Sequence, residues 1–200
     1  MAPDGFLVSC TLSEKRGCLV NNQSIKIHDK EFIPKIASDD IQKRVTLLAG
    51  EINLAYAGKN PVVIGVLTGA SLFATDLFRK LNHPCELTFI RVASYHGGLE
   101  SSGVVTELVG LREDITNRHV LLVEDIVDTG ETAQHLLAQL QTRKPASVKL
   151  ATALFKPAFL KHPVKPDFVG FEVGPDFLVG YGLDYNGLGR NLNDIYILKP

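Results

Sequence analysis

The sequence lacks the cysteine content and the charge imbalance that mark several classes of protein. Its 200 residues include three cysteines, an odd number without a CxxC pair, which argues against a disulfide framework or a zinc cage. We expect reduced thiols and a cytoplasmic location. The 21 Lys and Arg residues nearly balance the 22 Asp and Glu residues, leaving a formal net charge of -1. No overall positive field would attract nucleic acid or an anionic membrane, and neither is expected as a partner.

Long apolar runs and histidine pairs are also missing. The strongest apolar stretch, residues 61–74, is interrupted by Gly65, Thr68 and Gly69 and is shorter than the roughly 20 residues that a membrane helix needs. The amino terminus has neither the basic start nor the long apolar stretch of a secretory signal. The six histidines show no HxxxH spacing, which argues against a dedicated histidine metal site. We therefore expect a soluble protein without a membrane segment.

Two familiar phosphate-binding motifs are absent as well. The sequence contains no GxxxxGK loop followed by Ser or Thr, and no GxGxxG motif opens a helix after a strand. Both absences count against a kinase, an ATPase or a dinucleotide-dependent oxidoreductase. Another loop would have to bind any phosphate.

The residues that are present describe one globular α/β domain. Apolar residues make up 45% of the chain, enough for a sizeable core. Residues 1–24 show little periodicity and are predicted to be a poorly ordered extension, with a single domain over residues 25–200. Within that domain, helical spacing alternates with continuous apolar runs, which is typical of a mainly parallel sheet flanked by helices. The predicted helices cover residues 38–58, 71–81 and 132–140, and the predicted strands cover residues 62–67, 86–94, 120–127 and 148–155.

Three further features complete this organisation. Ser38 precedes Asp39 and Asp40, so its side chain is expected to cap the first helix. Residues 95–114 are polar and glycine-rich and too long for an ordinary connection, which indicates a lid or a disordered loop. The short apolar runs near the carboxyl terminus are separated by Gly and Pro, and they are expected to form strands at the sheet edge or in a small flap.

The richest chemical signal lies in residues 120–132, VLLVEDIVDTGET. An apolar strand ends in Glu124 and Asp125, at the edge where ligands of open α/β sheets gather. The two carboxylates can accept hydrogen bonds from sugar hydroxyls or bind a hard divalent cation. The residues that follow place backbone N–H groups and hydroxyls at a helix start, which favours phosphate and, with the acids, a ribose 5-phosphate. The alternative is that Asp128 or Thr129 only caps the helix while the acids are solvated.

Several motifs together identify a family. VEDIVDTG resembles the 5-phosphoribosyl-1-pyrophosphate (PRPP) motif of phosphoribosyltransferases, and its adjacent acids are like those of the purine salvage branch. Residues 65–78, 93–98 and 165–198 resemble stretches of the hypoxanthine-guanine phosphoribosyltransferase family. The resemblance implies the type I phosphoribosyltransferase fold, with a mainly parallel central sheet flanked by helices, a small hood from the amino- and carboxyl-terminal segments, and a long flexible loop.

The resemblance also implies a reaction. The 5-phosphoribosyl group of PRPP would pass to N9 of a 6-oxopurine, which is hypoxanthine, guanine or xanthine. The products would be pyrophosphate and a nucleotide such as IMP or GMP, in purine salvage. Mg²⁺ is the implied cofactor, and a homodimer or homotetramer is the implied assembly.

Individual positions receive roles from the same resemblance. Glu124 and Asp125 would hold the ribose hydroxyls and, with Asp184, Mg²⁺. Asp128 would face N7 of the purine as general base or hydrogen-bond partner, and Lys156 would donate to the purine O6. The other implied contacts are to the 5-phosphate from Thr129, Gly130, Glu131 and Thr132, to pyrophosphate from Thr68, Gly69 and Arg190, and to the purine from Phe177, Leu178 and Asp184.

The family's flexible loop opens with a Ser-Tyr pair that matches Ser94 and Tyr95. Closure of residues 95–114 over the site would exclude water while the ribose develops positive charge. Thr68 and Glu131 stand at positions where the family commonly has lysine. Contacts to pyrophosphate and phosphate there would fall to backbone N–H groups.

Two functions remain open from the sequence. One is the Mg²⁺- and PRPP-dependent transferase. The alternative is a non-catalytic PRPP- or nucleotide-sensing regulator on the same fold, which would be expected to carry a DNA-binding domain or a basic face, or to lack Asp128 or Lys156. Both residues are present and the chain is close to neutral, which favours the enzyme.

Overall fold

The computed structural model of this chain describes residues 23–95 and 105–200. Most of the predicted extension, with Cys10 and Cys18, and residues 96–104 of the predicted loop lie outside the described residues. The described α-helices are α1 (Ser38–Ala55), α2 (Ser71–Phe78) and α3 (Glu131–Thr142), and a short 3-10 helix covers Pro157–Phe159. In the part of the chain so described, no helix has the length and apolar character needed to cross a membrane.

The strands form two sheets. In chain order they are β1 (Ile25–Ile27), β2 (Lys30–Ile36), β3 (Val62–Leu67), β4 (Glu86–Tyr95), β5 (Val105–Val109), β6 (His119–Val127), β7 (Ser147–Phe155), β8 (Phe168–Glu172), β9 (Leu178–Val179) and β10 (Ile195–Leu198). The larger sheet has the order β5-β4-β3-β6-β7-β8, and its neighbours are parallel except for β4 and β5. The prediction of a mainly parallel α/β sheet is confirmed.

The smaller sheet joins segments from both ends of the described chain. Its order is β1-β2-β10-β9, and its neighbouring strands are antiparallel. Phe32, Val179 and Tyr196 belong to its own apolar cluster, separate from the main core. The expected hood is therefore confirmed. Strand β8, the other part of the carboxyl-terminal region predicted to be extended, lies at the edge of the larger sheet.

Helices cover both faces of the larger sheet. Alternate residues of a strand point to opposite faces, so Leu121 and Val123 of β6 pack with α1 and α2, whereas Val120 and Leu122 pack with α3. Both faces require apolar side chains, which explains the continuous apolar run in this strand. The buried residues of α1 recur at helical spacing: Ile41, Val45, Leu48, Ala49 and Ile52.

The start of α1 differs from the prediction. The helix begins at Ser38, but no side chain caps it, and Ala37 occupies the cap position. The Ser38 N–H donates instead to Asp194 Oδ1 at 2.6 Å, across 156 positions of sequence. A distant carboxylate satisfies this amide and ties α1 to the segment that precedes β10.

Part of the predicted loop at residues 95–114 is a strand. β5 pairs antiparallel with β4, from Val105 opposite Tyr95 to Val109 opposite Arg91. The sequence VVTELV is rich in β-branched residues, which favour strands, although the surrounding Gly and Ser residues pointed to a loop. The interpretation of this whole segment as one long loop is therefore wrong, and β4 ends at Tyr95 rather than at Ser94.

Candidate active site

A cavity of about 490 Å³ opens at the carboxyl end of the parallel strands. Its wall combines the ends of β3 and β6, the turn before α2, the start of α3 and the segment between β9 and β10. Open α/β sheets bind their ligands at this edge. Ten residues singled out from the sequence line it: Gly69, Glu124, Asp125, Asp128, Thr129, Gly130, Glu131, Thr132, Asp184 and Arg190.

The two adjacent acids lie in surroundings that the sequence did not predict. Strand β6 continues to Val127, so Glu124 and Asp125 are within the strand rather than at its end. Glu124 is only 4% exposed, and its Oε1 atom has no hydrogen-bond partner in the described structure. Burial, with the neighbouring Asp125 charge, raises the Glu124 pKa to about 8, and burial also raises the Asp125 pKa. Glu124 is therefore not a solvated carboxylate, as the alternative interpretation of this motif required.

Asp125 lies against the turn between β3 and α2. Its carboxylate occupies the space that a Cβ atom on Gly69 would fill. The carbonyl oxygen of Gly69, in turn, lies where a Cβ atom on Gly182 would be. Gly182 has a φ of 101°, which favours glycine. Strand β6, the turn and the segment after β9 are therefore in direct contact, and position 69 has no room for a side chain.

Sequence reasoning missed Gly182. The alternation of Gly with other residues in VGYGLD marks a turn, and two glycines of this run have positive φ values. Spacing along the chain does not show which distant backbone such a glycine approaches. The contact between Gly182 and the Gly69 carbonyl is visible only in the folded structure.

The phosphate cradle expected at residues 128–132 lies at the start of α3. Gly130 precedes the helix with a φ of 82°, and no side-chain hydrogen bond caps it. The closest approach to a cap is the Glu131 N–H, which lies 3.4 Å from Thr129 Oγ1. Amides in the first turn of a helix have no acceptor within that helix, so this wall presents donors to an anion. Apart from this Thr129 contact, no described side chain caps the start of α3.

Asp128 and Lys156 form an ion pair that spans two strand ends. Lys156 Nζ lies 2.9 Å from Asp128 Oδ2, and the Lys156 N–H donates to the Val127 carbonyl at 3.0 Å. The lysine side chain is 9% exposed, whereas that of the aspartate is 46% exposed and lines the cavity. This pair can present a hydrogen-bond acceptor and a donor side by side to a planar ligand.

A second ion pair lies in the segment between β9 and β10. Arg190 Nη2 is 2.6 Å from Asp184 Oδ1, and Arg190 Nη1 donates to the Gly182 carbonyl at 2.6 Å. Asp184 Oδ2 accepts the Gly187 N–H at 2.7 Å. Both charged side chains line the cavity, and a guanidinium fork is suited to phosphate oxygens.

Phe177 and Leu178 lie outside the cavity wall. Phe177 is 47% exposed, and its ring centroid is 6.4 Å from that of Phe32 and 5.8 Å from that of Tyr185. Leu178 is buried in β9, where it pairs with Ile197 of β10. The hood therefore holds an exposed aromatic ring directly before the short strand β9.

Lys156 and Thr68 are also outside this wall. Thr68 is exposed in the turn before Gly69. The backbones of Ser94 and Tyr95 belong to β4, while their side chains are outside the described part of the structure. The ligand contacts expected of these residues therefore stay predictions.

The cavity wall carries more acid than base. Its lining includes Arg190 and the carboxylates of Glu124, Asp125, Asp128, Glu131 and Asp184. Among the residues that the structure describes, no three His, Cys, Asp or Glu side chains form a metal-binding group. The unpartnered Glu124 Oε1 and the carboxylate donors nevertheless suit Mg²⁺, which prefers oxygen ligands and commonly keeps water and substrate phosphates in its shell. The residues therefore fit a Mg²⁺ ion that arrives with a phosphate-bearing ligand.

The buried Glu124 carboxyl predicts a pH-dependent stability in the absence of metal. Its pKa is about 8 in the folded chain, against an ordinary value of 4.5. The folded state then holds a proton that the unfolded state has lost, so this stabilisation is complete below about pH 4.5 and is lost as the pH rises through about 8. We expect Glu124→Gln to raise the melting temperature near pH 9, where an effect of about 2 kcal/mol corresponds to roughly 4–8 °C in a chain of this size.

Thermal melts in a chelator, at about pH 5 and about pH 9, measure this effect. Glu131→Gln serves as the control because Glu131 is exposed in the same wall. Glu124→Gln should flatten the pH profile and Glu131→Gln should leave it unchanged. Identical profiles for wild type and Glu124→Gln would show that Glu124 is not a desolvated acid.

Comparison with known proteins agrees with this geometry. Residues 37–186 match the family model described as "Phosphoribosyl transferase domain". The hypoxanthine-guanine-xanthine phosphoribosyltransferase of Tritrichomonas foetus is 47% identical over 162 residues, covering 80% of this chain and 88% of that protein. A bifunctional TilS/HprT protein of Listeria innocua is 44% identical over 165 residues, 82% of this chain, and the chain spans only 26% of that protein's length. The structure of hypoxanthine phosphoribosyltransferase from Trypanosoma cruzi in a ternary substrates complex matches with a TM-score of 0.79 and 36% identity, covering 87% of this chain and 98% of that one.

Proposed function

Because this chain belongs to the hypoxanthine-guanine phosphoribosyltransferase family, we propose that it transfers the 5-phosphoribosyl group of PRPP to N9 of a 6-oxopurine in purine salvage. The bond between ribose C1 and the pyrophosphate oxygen breaks, and its electron pair leaves with pyrophosphate. A bond forms between C1 and N9 of the base. The N7 proton of the base is accepted by Asp128 as N9 becomes bonded to carbon.

One observation carries this proposal: a single cavity holds two adjacent carboxylates on β6 and the amide-rich start of α3. The carboxylates can accept hydrogen bonds from the two ribose hydroxyls, and the neighbouring amides can donate hydrogen bonds to the phosphate. Together they match the two ends of a ribose 5-phosphate. In this assignment Glu124 and Asp125 bind the ribose hydroxyls. The 5-phosphate lies at the helix start, against Thr129, Gly130, Glu131 and Thr132. Glu131 is exposed there, so its N–H can serve while its carboxylate remains in solvent.

The purine end of the proposed site is built on the Asp128–Lys156 ion pair. Lys156 donates to the purine O6 and Asp128 accepts from N7, so the pair reads two neighbouring atoms of the base. An ammonium donor cannot pair with the exocyclic amine of adenine, and this selects 6-oxopurines. Phe177 stacks on the base and Leu178 contacts its edge through the backbone. The exposed ring of Phe177 supports that role.

The pyrophosphate end draws on Thr68, Gly69 and Arg190. With Thr68 in place of a lysine, the cation for this end is Arg190, and the remaining donors are backbone N–H groups. Mg²⁺, when bound by Glu124, Asp125 and Asp184 together with substrate, supplies positive charge that offsets the phosphates and the leaving group. The excess of carboxylates in the wall supports this requirement.

We also propose that the loop that begins at Ser94 and Tyr95 closes over the site. The proposed assembly is a homodimer or homotetramer. A cytoplasmic location remains a prediction from the sequence. The single domain of residues 25–200 and the poorly ordered extension of residues 1–24 are likewise predictions.

Nucleotide formation from PRPP, Mg²⁺ and each of hypoxanthine, guanine, xanthine and adenine tests the function. We expect turnover with at least one 6-oxopurine and a rate with adenine lower by about 100-fold or more, since a buried donor would face another donor. Absence of turnover with every 6-oxopurine, while PRPP still binds, would favour the non-catalytic sensor instead.

A further inference from the structure

A partly buried hydrogen-bond network connects the proposed pyrophosphate residues to two helices of the core. Asp76 Oδ2 of α2 accepts from Gln42 Nε2 of α1 at 2.6 Å and from the Tyr181 hydroxyl at 2.9 Å. Tyr181 is almost fully buried, and burial raises the pKa of its hydroxyl, which therefore stays protonated and donates. We call Gln42, Asp76 and Tyr181 the Asp76 network.

Tyr181 is adjacent to the backbone that holds Arg190. The carbonyl of Gly182 accepts from Arg190 Nη1, and the Gly182 N–H donates to the Arg190 carbonyl at 3.0 Å. The Tyr181 N–H donates to the Leu192 carbonyl at 2.8 Å. A displacement of Tyr181 would therefore move Arg190 and its ion-pair partner Asp184, because the backbone around Tyr181 is hydrogen-bonded to residues 190 and 192.

The other end of the network leads to the opposite wall of the cavity. Asp76 belongs to α2, which begins directly after the turn containing Gly69. Gly69 contacts both the Asp125 carboxylate and Gly182. The Tyr181 hydroxyl thus fastens the segment of Arg190 to the helix that carries the turn. Tyr181 also has a φ of 48°, an unusual value for a residue with a side chain, so this position is held by its surroundings.

We propose that Tyr181 is a positioning residue, whose hydrogen bond to Asp76 sets Arg190 and Asp184 in the geometry that binds the pyrophosphate group. The inference rests on the proposed function, since it assigns the network to the pyrophosphate end of that site. Tyr181 acts on PRPP and pyrophosphate through Arg190 and has no direct part in binding the purine.

Tyr181→Phe removes the hydroxyl and keeps the ring. Tyr56→Phe is a matched control, because the Tyr56 hydroxyl is also buried and donates to the Val120 carbonyl at 2.8 Å, at the opposite end of β6. We expect Tyr181→Phe to raise the KM for PRPP and the Kd for pyrophosphate with Mg²⁺ by about tenfold, with the purine KM within about twofold of wild type. Tyr56→Phe should lower the melting temperature and leave all three constants unchanged.

Two further measurements separate positioning from general destabilisation. Amide hydrogen exchange in residues 180–190 should become faster in Tyr181→Phe and not in Tyr56→Phe. Asp76→Ala should reproduce the PRPP effect, and adding Tyr181→Phe to it should cause little further change, since the Tyr181–Asp76 hydrogen bond is already lost in Asp76→Ala.

The outcomes distinguish this inference from the proposed function. If wild type binds and uses PRPP but Tyr181→Phe and Asp76→Ala retain wild-type constants, the positioning role is overturned and the function stands. Equal increases in the PRPP and purine KM values would also overturn it. If wild type binds neither PRPP nor pyrophosphate, both fail together.

Discussion

Replacing Gly69 by alanine is expected to lower kcat/KM for PRPP by about 100-fold or more, which corresponds to a loss of ~2.7 kcal/mol or more in transition-state stabilisation. The added Cβ atom would fall on the Asp125 carboxylate. That short side chain belongs to a central strand paired on both sides, so it can yield only by leaving its place in the cavity. Steady-state kinetics with varied PRPP at saturating purine measure the effect.

Gly50→Ala is the matched control for this substitution. Gly50 is exposed on α1, and a Cβ atom there meets nothing within 4 Å. Alanine also favours a helix over glycine by about 1 kcal/mol, so this variant should melt slightly higher with unchanged kinetics. Wild-type kinetics in Gly69→Ala would contradict the placement of Asp125 in the ribose and metal site.

Asp128→Ala is expected to lower kcat by about 1,000-fold while the Kd for PRPP stays within about twofold, since general acid–base contributions commonly reach 10²–10⁴-fold. Asp128 lies at the proposed purine end, where it accepts from Lys156, and among the described residues no side chain caps the start of α3. Single-turnover kinetics and PRPP titration separate the two effects. Unchanged kcat would remove Asp128 from the reaction.

The same variant should also be less stable, because it leaves the buried Lys156 ammonium without its partner. The loss is expected to be about 1–2 kcal/mol. The double variant Asp128→Ala with Lys156→Met should regain stability without regaining activity, because methionine fills a similar volume and carries no charge. A double variant as unstable as Asp128→Ala would show that the ion pair does not explain the loss.

Features encoded by local patterns could be predicted from the sequence. Continuous apolar runs gave the buried parallel strands, since both faces of each strand are covered. The run VEDIVDTG predicted one continuous part of the cavity wall, because the end of a strand and the turn that leads into a helix are contained in it.

Features that depend on distant contacts could not be predicted in this way. The Ser38 amide is satisfied by Asp194, and Asp76 accepts from Tyr181, across 156 and 105 positions of sequence. The burial of Glu124 depends on how the chain packs around β6, so its raised pKa cannot be read from the motif. Strand β5 was missed because it sits within a segment whose overall composition is that of a loop.

The chain has almost no net charge, and the charged side chains that line its cavity are mainly acidic. The proposed ligand, with several phosphate charges, would meet mainly carboxylates here, with Arg190 and the amides of α3 as donors. The field of the whole protein does not draw the ligand in. Under the proposed function, binding would therefore depend on a divalent cation and on local donors.

The most direct measurement is the stoichiometry of the reaction with hypoxanthine, PRPP and Mg²⁺, followed by phosphorus NMR and chromatography. We predict one pyrophosphate for each nucleotide formed, with N9 as the site of attachment and no nucleotide after Mg²⁺ is chelated. Pyrophosphate release without nucleotide, or PRPP that binds and remains intact with every 6-oxopurine, would contradict phosphoribosyl transfer by this site.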